Sequence, residues 1–422
     1  RLLTEVIGPN ELEPQTLAKL FHYRSYFNMS LLGQIFERVG IPAESLEMMW
    51  GIAPNGSSKF KYKPGLQALR LLPGLFHFIW DKLSLNKRLP VELGILEAQY
   101  SQIDLKSIDH LSDSQLIEAI DHLFVSNQEV AYLNIVIPLW MYGFNAMLRN
   151  QMKKLNVEIA NLDMQLNTAE FYPFNPVFRI EKLNQIFQEL TPDQQDFLRS
   201  STYEEVMQAQ HLDEFCVGLV DLLGQFGHLS DNGNDFSSVP WRESPDMILK
   251  LVTNYELRVA SATVEKLRFE SIPIPFTKRH LIGRVYRQTR QLILQRERIS
   301  YLYTYGYGLF RIYFLELGRR FAHRGWIARA EDIFYLDYET ACQLVERGHP
   351  MHNLLQVVEE QKKAMDRAQH VSMPSIIYGD QPPPIQTSTE RKLIGTPTSS
   401  GYCTGRLKVV KGLQDFGKVK AG

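Results

Sequence analysis

Cysteine is scarce: Cys216, Cys342 and Cys403 are the only three in 422 residues, far apart and in no C-x-x-C pair. That excludes a disulfide framework and a cysteine-rich zinc site, and it suits a reducing, cytoplasmic location. Charge of one sign is lacking too. Forty-six Lys and Arg stand against 47 Asp and Glu, which argues against a nucleic-acid partner, since that needs a basic excess or stripe. No signal peptide opens the chain and no internal repeat runs through it. Long apolar runs are lacking except for Val130 to Leu148, which has no charged residue. A membrane span needs about 20 apolar residues. Asn134, Pro138, Gly143 and Asn145 interrupt this run and no second one follows. A buried central helix, without a membrane partner, is therefore expected, with a membrane span as the alternative.

What is present is enough apolar material, 44% of 422 residues, for a large core and two or more domains. The chain is organised around a polar loop from Phe226 to Pro245. Before it, Leu212 to Phe226 has the apolar pattern of a buried helix. After it, Ser244-Pro245-Asp246 offers an N-cap oxygen, a first-turn proline and an acid for the positive end of the helix dipole. Loops of this length are functional or disordered, and Phe236 and Trp241 give this one something to bury. His228 is suited to proton transfer near neutral pH, or else to a hydrogen bond closing the loop. Trp241 and Arg242 offer planar faces for a flat ligand, or else Trp241 plugs a core. Asp231, Asn232 and Asp235 add polar contacts. Asp231, Asn234 and Asp235 around Gly233 have the composition of a calcium loop. The spacing fails, because the third position is Gly233 and the sixth Phe236, so no metal is expected.

Elsewhere the pattern is helical. Leu12 to Gly40 reads as a helix, and Leu66 to Leu85 as an apolar segment broken at Pro73-Gly74. Between them Lys59, Lys61 and Lys63 form a basic cluster, for an anion or simply for solvent. Ser112-Asp-Ser-Gln115 opens a capped helix. Phe171 to Pro176 reads as a packed aromatic loop. Leu281 to Arg324 is the longest helical tract. Gly306 and Gly308 either divide it or let another backbone approach, and Tyr301, Tyr303, Tyr305 and Tyr307 are spread around it. Asp332 to Leu336 reads as a short extended piece and Tyr338 to Val345 as a helix. After Met373 the composition shifts to Gln381-Pro-Pro-Pro384 and Thr387-Ser-Thr389, a stiffened linker over 374–391. From 392 turn residues precede β alternation. The fold class expected is mainly α: a large helical domain over 1–373, the proline-rich linker, then first β-strands over 392–422.

Three stretches, by their order and spacing, resemble one family. The linker followed by Gly395-Thr-Pro-Thr-Ser-Ser-Gly-Tyr-Cys-Thr-Gly405-Arg-Leu-Lys-Val-Val resembles the opening of the swivelling phosphohistidine domain of phosphoenolpyruvate synthase-like enzymes. Arg296-Glu297, then Leu317 to Gly325, then Glu331 to Leu336 resemble the preceding segment in the rifampicin phosphotransferase branch. Phe226-Gly-His228 through Pro240-Trp-Arg-Glu-Ser-Pro245 resembles that branch's central domain. The resemblance implies three parts: an ATP-grasp domain, a helical acceptor domain and a mobile histidine domain that carries phosphate from ATP to an acceptor. This chain then matches the acceptor domain and a truncated start of the histidine domain. Both ends are expected to continue, with the catalytic histidine beyond Gly422, so the fragment alone should not turn over. ATP and Mg²⁺ are implied for the full-length enzyme, with none held by this fragment. The implied partners are the ATP-grasp and phosphohistidine domains of the same chain and a small apolar acceptor with a hydroxyl.

The candidate catalytic pair is Arg296 and Glu297. A guanidinium fork meets two oxygens of a phosphoryl group at once, and Glu297 orients it or accepts a proton. An interhelical salt bridge is the other reading. One departure counts against phosphorylation or implies a different acceptor: where the family often has a second basic residue one turn on, this chain has Ser300. His228, Asp231, Asn232, Asp235, Trp241 and Arg242 are the candidate acceptor-binding residues. A non-catalytic helical ligand-binding or scaffold module is the alternative function.

Overall fold

The computed structural model describes residues 18–28, 31, 33–34, 66–105, 107–164, 168–209, 211–233, 235–255, 267–371, 373 and 377. The Lys59 to Lys63 cluster, the linker apart from Ile377, and the segment from 392 lie outside them. The described residues are mainly helical, with eleven α-helices and one two-stranded sheet. They fall into two compact units: those up to Leu85 together with those from Pro350 onward, and those from Asn86 to His349.

In the first unit, β1 (Ala18–Phe21) pairs antiparallel with β2 (Arg24–Phe27). This corrects the expected helix over 18–28; Leu31, Gly33 and Gln34 are helical, and the rest of Leu12 to Gly40 lies outside the described residues. His22 and Tyr23 both take positive φ, 48° and 61°, which is how a two-residue hairpin turn matches strand twist. Neither residue is the Gly or Asn that announces such a turn. Tyr23 Oη donates to Gln361 Oε1 at 2.8 Å, on a helix that spans Leu354–Gln369.

Helix α1 (Leu66–Ser101) runs through Pro73-Gly74 without the expected break and carries the chain into the second unit. There α2 (Asp113–Lys153) starts on a full capping box: Ser112 Oγ accepts from Gln115 N–H, and Gln115 returns the bond to Ser112 N–H. Short α3 (Thr168–Phe171) is followed by α4 (Pro176–Glu189), α5 (Pro192–Ser200), α6 (Tyr203–Met207), α7 (Asp213–Phe226) and α8 (Pro245–Thr253). Then comes α9, a single helix of 48 residues, Phe276–His323. A 3-10 turn, Ala330–Tyr335, replaces the extended piece expected at Asp332 to Leu336. Its Asp332 is buried and accepts from Arg329 N–H at 3.2 Å, which curls the segment into a turn. Helix α10 (Tyr338–Arg347) follows in this unit, and α11 (Leu354–Gln369) belongs to the first.

Two of the clusters that hold the second unit lie among the described residues. Helices α4 to α8 enclose Leu183, Phe187, Phe215, Leu219, Phe226 and Ile248, all nearly or fully buried. Each such side chain contributes about 1.5–3 kcal/mol on leaving water. Helices α2 and α9 pack antiparallel. Leu148 and Met152 near the end of α2 meet Ile282, Val285 and Tyr286 near the start of α9. Asp113 at the start of α2 pairs with Arg320 and Arg324 at the end of α9, at 2.9 and 2.6 Å. Those guanidiniums hold the Asp113 carboxyl below its usual range against the opposing effect of burial.

The run Val130 to Leu148 lies in α2, and its burial is one-sided. Val136 and Ile137 are buried while Ile135 and Tyr142 are exposed. By length and apolarity α2 meets the requirement for crossing a membrane. In this fold its inner face packs on α9.

Candidate functional site

The loop after α7 is a strap laid along α9. Its ends are tied together: Trp241 N–H donates to the Leu229 carbonyl at 2.8 Å and Arg242 N–H to that of Gly227 at 2.9 Å. Ser244 makes no side-chain cap at the start of α8, contrary to expectation. The acid beside it, Asp246, instead accepts from Tyr203 N–H.

His228 is the inner anchor. Its ring is 4% exposed and stands edge-on to Tyr301 and Tyr305, with ring centres 5.2 and 5.1 Å away. Nε2 lies 3.4 Å from Thr304 Oγ1. The same threonine hydroxyl also reaches the helix carbonyls of Ser300 and Tyr301, at 3.1 and 3.0 Å. Nδ1 is buried without a hydrogen-bond partner. The Gln225 carbonyl is close enough to favour a proton on His228, but it lies outside hydrogen-bond geometry for Nδ1 and accepts from Tyr301 Oη at 3.2 Å. Burial, with the nearby Arg242 charge, pushes His228 down to about 3. The group expected to titrate near neutrality is a neutral, buried imidazole.

Glycine decides this close approach. A Cβ on Gly308 would sit 2.8 Å from His228 Cβ, and one on Gly306 would meet Asn127 Oδ1 at 2.6 Å on another face of α9. The two glycines leave α9 unbroken and let neighbours touch it on two sides. The tyrosines sort by helical spacing. Tyr301 and Tyr305 stack at 6.1 Å on the His228 face, while Tyr303 and Tyr307 pair at 5.0 Å on another. Burial, then the neighbouring Tyr305 and Glu97, raises the Tyr301 phenol to about 12.

Arg311 is the outer anchor. It is 4% exposed and donates to both carboxylate oxygens of Glu243, at 2.8 and 2.7 Å. It also donates to the carbonyls of Phe236 and Ser237, at 3.1 and 2.8 Å. Phe236 stacks on Phe314 at 5.3 Å, beside Phe310 and Phe334.

The remaining loop residues divide. Trp241 is 8% exposed and belongs to the core of α4 to α8. Arg242 lies beside it and donates from Nε to the Gly227 carbonyl at 3.2 Å. Burial lowers its pKa, opposed by the oxygens of Tyr305, Glu243 and Tyr301. Asp235 folds the loop tip by accepting from Ser237 N–H and from the hydroxyls of Ser237 and Ser238. Asp231 and Asn232 are exposed.

Arg296 and Glu297 stand elsewhere on the same helix. At about 100° per residue Arg296 is turned roughly 140° from Tyr301. Its guanidinium is half exposed and meets Glu297 at 3.1 Å. The structure thus unites His228, Trp241 and Arg242, and sets Arg296 more than one turn from them. Arg298, by contrast, is engaged by both oxygens of Glu97 at 2.6 and 2.5 Å.

Sequence reading passed over Arg311, Glu243, Tyr301 and Tyr305 as partners of the loop. The available signal was the i, i+4 pairing of the tyrosines and of Thr304 with Gly308. Nothing local ties Arg311 to a glutamate 68 residues away. Among the described residues no group of three or more His, Cys, Asp or Glu is placed to hold a metal ion.

Fold and comparison together give a mainly helical protein with a distant, partial relationship to a phosphotransferase. The similarity is to the rifampicin phosphotransferase of Bacillus subtilis (strain 168), 25% identical over 224 residues, covering 47% of this chain and 25% of the relative. The chain therefore spans about a quarter of the length of the curated relative it matches. No family model matches it.

Proposed function

We propose that this chain supplies the acceptor-binding helical part of an ATP-dependent phosphotransferase. In this reading a phosphohistidine elsewhere in the full-length protein passes its phosphoryl group to a small, largely apolar acceptor bearing a hydroxyl. The observation that carries the reading is the 224-residue similarity to a rifampicin phosphotransferase. We assign residues 1–373 to the acceptor-binding part and 392–422 to the start of the phosphohistidine domain, in a cytosolic protein.

Phosphoryl transfer asks little covalent work of a protein and much positioning of charge. Arg296 suits that task because its fork is half exposed on a 48-residue helix, whereas Arg298 and Arg311 are already taken by carboxylates. Glu297 holds the fork or receives the acceptor's proton. Acceptor contacts on the loop fall to exposed Asp231 and Asn232 and to the outer edge of Arg242. His228, Trp241 and Asp235 act by shaping the loop. ATP and Mg²⁺ belong, in this reading, to the rest of the full-length protein.

Ser300, exposed where a second basic residue would stand, favours the second reading, a non-catalytic helical binding or scaffold module. The test is AMP release from ATP by the full-length protein, with rifampicin and other hydroxyl-bearing apolar molecules as probe acceptors. Acceptor-dependent AMP release is expected. ATP left intact with every probe, from a folded protein that still binds one of them, would establish the binding module instead.

A further inference from the structure

The near-zero net charge hides a strong separation within the second unit. From Phe276 to Arg296 the sequence has six Lys or Arg and no Asp or Glu. From Pro176 to Phe226 it has nine acidic and three basic residues. Each region presents one exposed helix face on which its sign of charge is mixed with apolar side chains.

On the first turns of α9, Phe276, His280, Arg284 and Arg287 recur at i, i+4, i+8 and i+11, so they share a face. All four are exposed, Phe276 to 93%. Arg284 and Arg287 meet no carboxylate among the described residues, unlike Arg298, Arg311 and Arg320 farther along the same helix. On α7, Asp213, Val217 and Asp221 recur at i, i+4 and i+8, with Val220 beside them. These too are exposed, Val217 to 61% and Val220 to 50%. The opposite side of α7 holds the buried Phe215, Leu219, Leu222 and Phe226, so its orientation is fixed and the valines cannot turn inward. At 1.5 Å per residue the basic face is roughly 16 Å long and the acidic face roughly 12 Å.

We propose that these two faces dock on each other between two copies of this protein, the Asp213–Val217–Asp221 face of one on the Phe276–Arg284–Arg287 face of the next. Both faces are exposed in one copy, so neither is covered by the other within the molecule. Their charges are opposite, the acidic face fits within the length of the basic one, and each supplies apolar side chains that a purely solvating surface would not need. The contact is heterologous, since each copy uses a different patch, so it propagates head to tail unless the rotation closes a ring. Two helix faces form a contact at the small end of specific interfaces, which makes the association weak and concentration-dependent.

Sedimentation velocity of the full-length protein over a concentration series tests this. The sedimentation coefficient should rise with concentration at 50 mM salt, and at 0.5 M salt the association should weaken about tenfold, because exposed charges are then screened within a few ångströms. Arg284→Glu with Arg287→Glu should leave a monomer, as should Asp213→Lys with Asp221→Lys. Mixing the two variants should restore association, since each then offers the face the other needs. That restoration separates docking from a folding defect, and circular-dichroism spectra should show each variant folded, with Asp213→Lys melting slightly lower because it puts a cation in the first turn of α7. A monomer at every concentration overturns the proposal. So does association untouched by the substitutions, or association lost in both variants and not regained on mixing.

Discussion

Arg311 and Glu243 form a two-pronged pair, 2.8 and 2.7 Å, between the C-terminal half of a 48-residue helix and the end of the loop that lies on it. The arginine is almost wholly buried while the glutamate keeps about a third of its surface in water. The pair, with two loop carbonyls on the third nitrogen, fixes where the loop crosses the helix.

Arg311→Ala should therefore destabilise the protein by about 3 kcal/mol. Removing one partner of a buried pair costs 3–5 kcal/mol, and the partial exposure of Glu243 brings the figure to the low end. Urea denaturation measures it. Arg311→Lys keeps the charge but not the fork and should recover only part of the loss. A double-mutant cycle with Glu243→Ala should give a coupling of at least about 1 kcal/mol.

Two glycines on neighbouring helices should respond oppositely to alanine. At Gly308 the new methyl meets His228 Cβ at 2.8 Å, so Gly308→Ala should cost roughly 1–3 kcal/mol through forced movement. At Gly143, inside α2, nothing lies within 4 Å of a Cβ. Gly143→Ala should there raise stability by about 0.5–1 kcal/mol through helix propensity. Thermal melts of the two variants should move in opposite directions.

His228 gives the protein a pH dependence of known sign. Its native pKa is pushed down to about 3 from about 6.5 in the unfolded chain. Between those values the unfolded state binds the extra proton. The contribution is full above pH 6.5 and is lost progressively as pH falls toward 3. From pH 7 to 4.5 the loss from this group should be on the order of 3 kcal/mol. Urea midpoints of the parent and of His228→Gln at the two pH values isolate it, since the glutamine variant should lose that part of the slope.

Arg296→Lys should reduce acceptor-dependent turnover of the full-length protein at least tenfold while leaving the melting temperature within a degree or two. The guanidinium is half exposed and its one ion pair is with an adjacent residue, a kind worth little to stability. Unchanged turnover in well-folded Arg296→Lys and Arg296→Ala would leave that pair as surface decoration.

The sequence by itself determined the helical class and most of the helices. Ser112 with Gln115, the apolar stripe of Leu212 to Phe226 and the tract from Leu281 to Arg324 are local signals, and local hydrogen bonding obeyed them. It also marked the polar loop and the pair of residues able to plug it, Phe236 and Trp241. Only the tertiary structure decided what the loop rests on. His228 lies against Tyr301 and Tyr305 because Gly308 leaves room for it, and that is a contact between segments more than 70 residues apart. The same placement in a dry seam, rather than any neighbour in sequence, made the histidine neutral. The hairpin at His22 and Tyr23 was hidden for a related reason: its left-handed turn is held by two residues that carry no turn signal of their own. Periodicity speaks for each helix singly. Which faces meet is settled by packing, where a missing side chain at one glycine and a buried charge at one arginine count for more than any local preference.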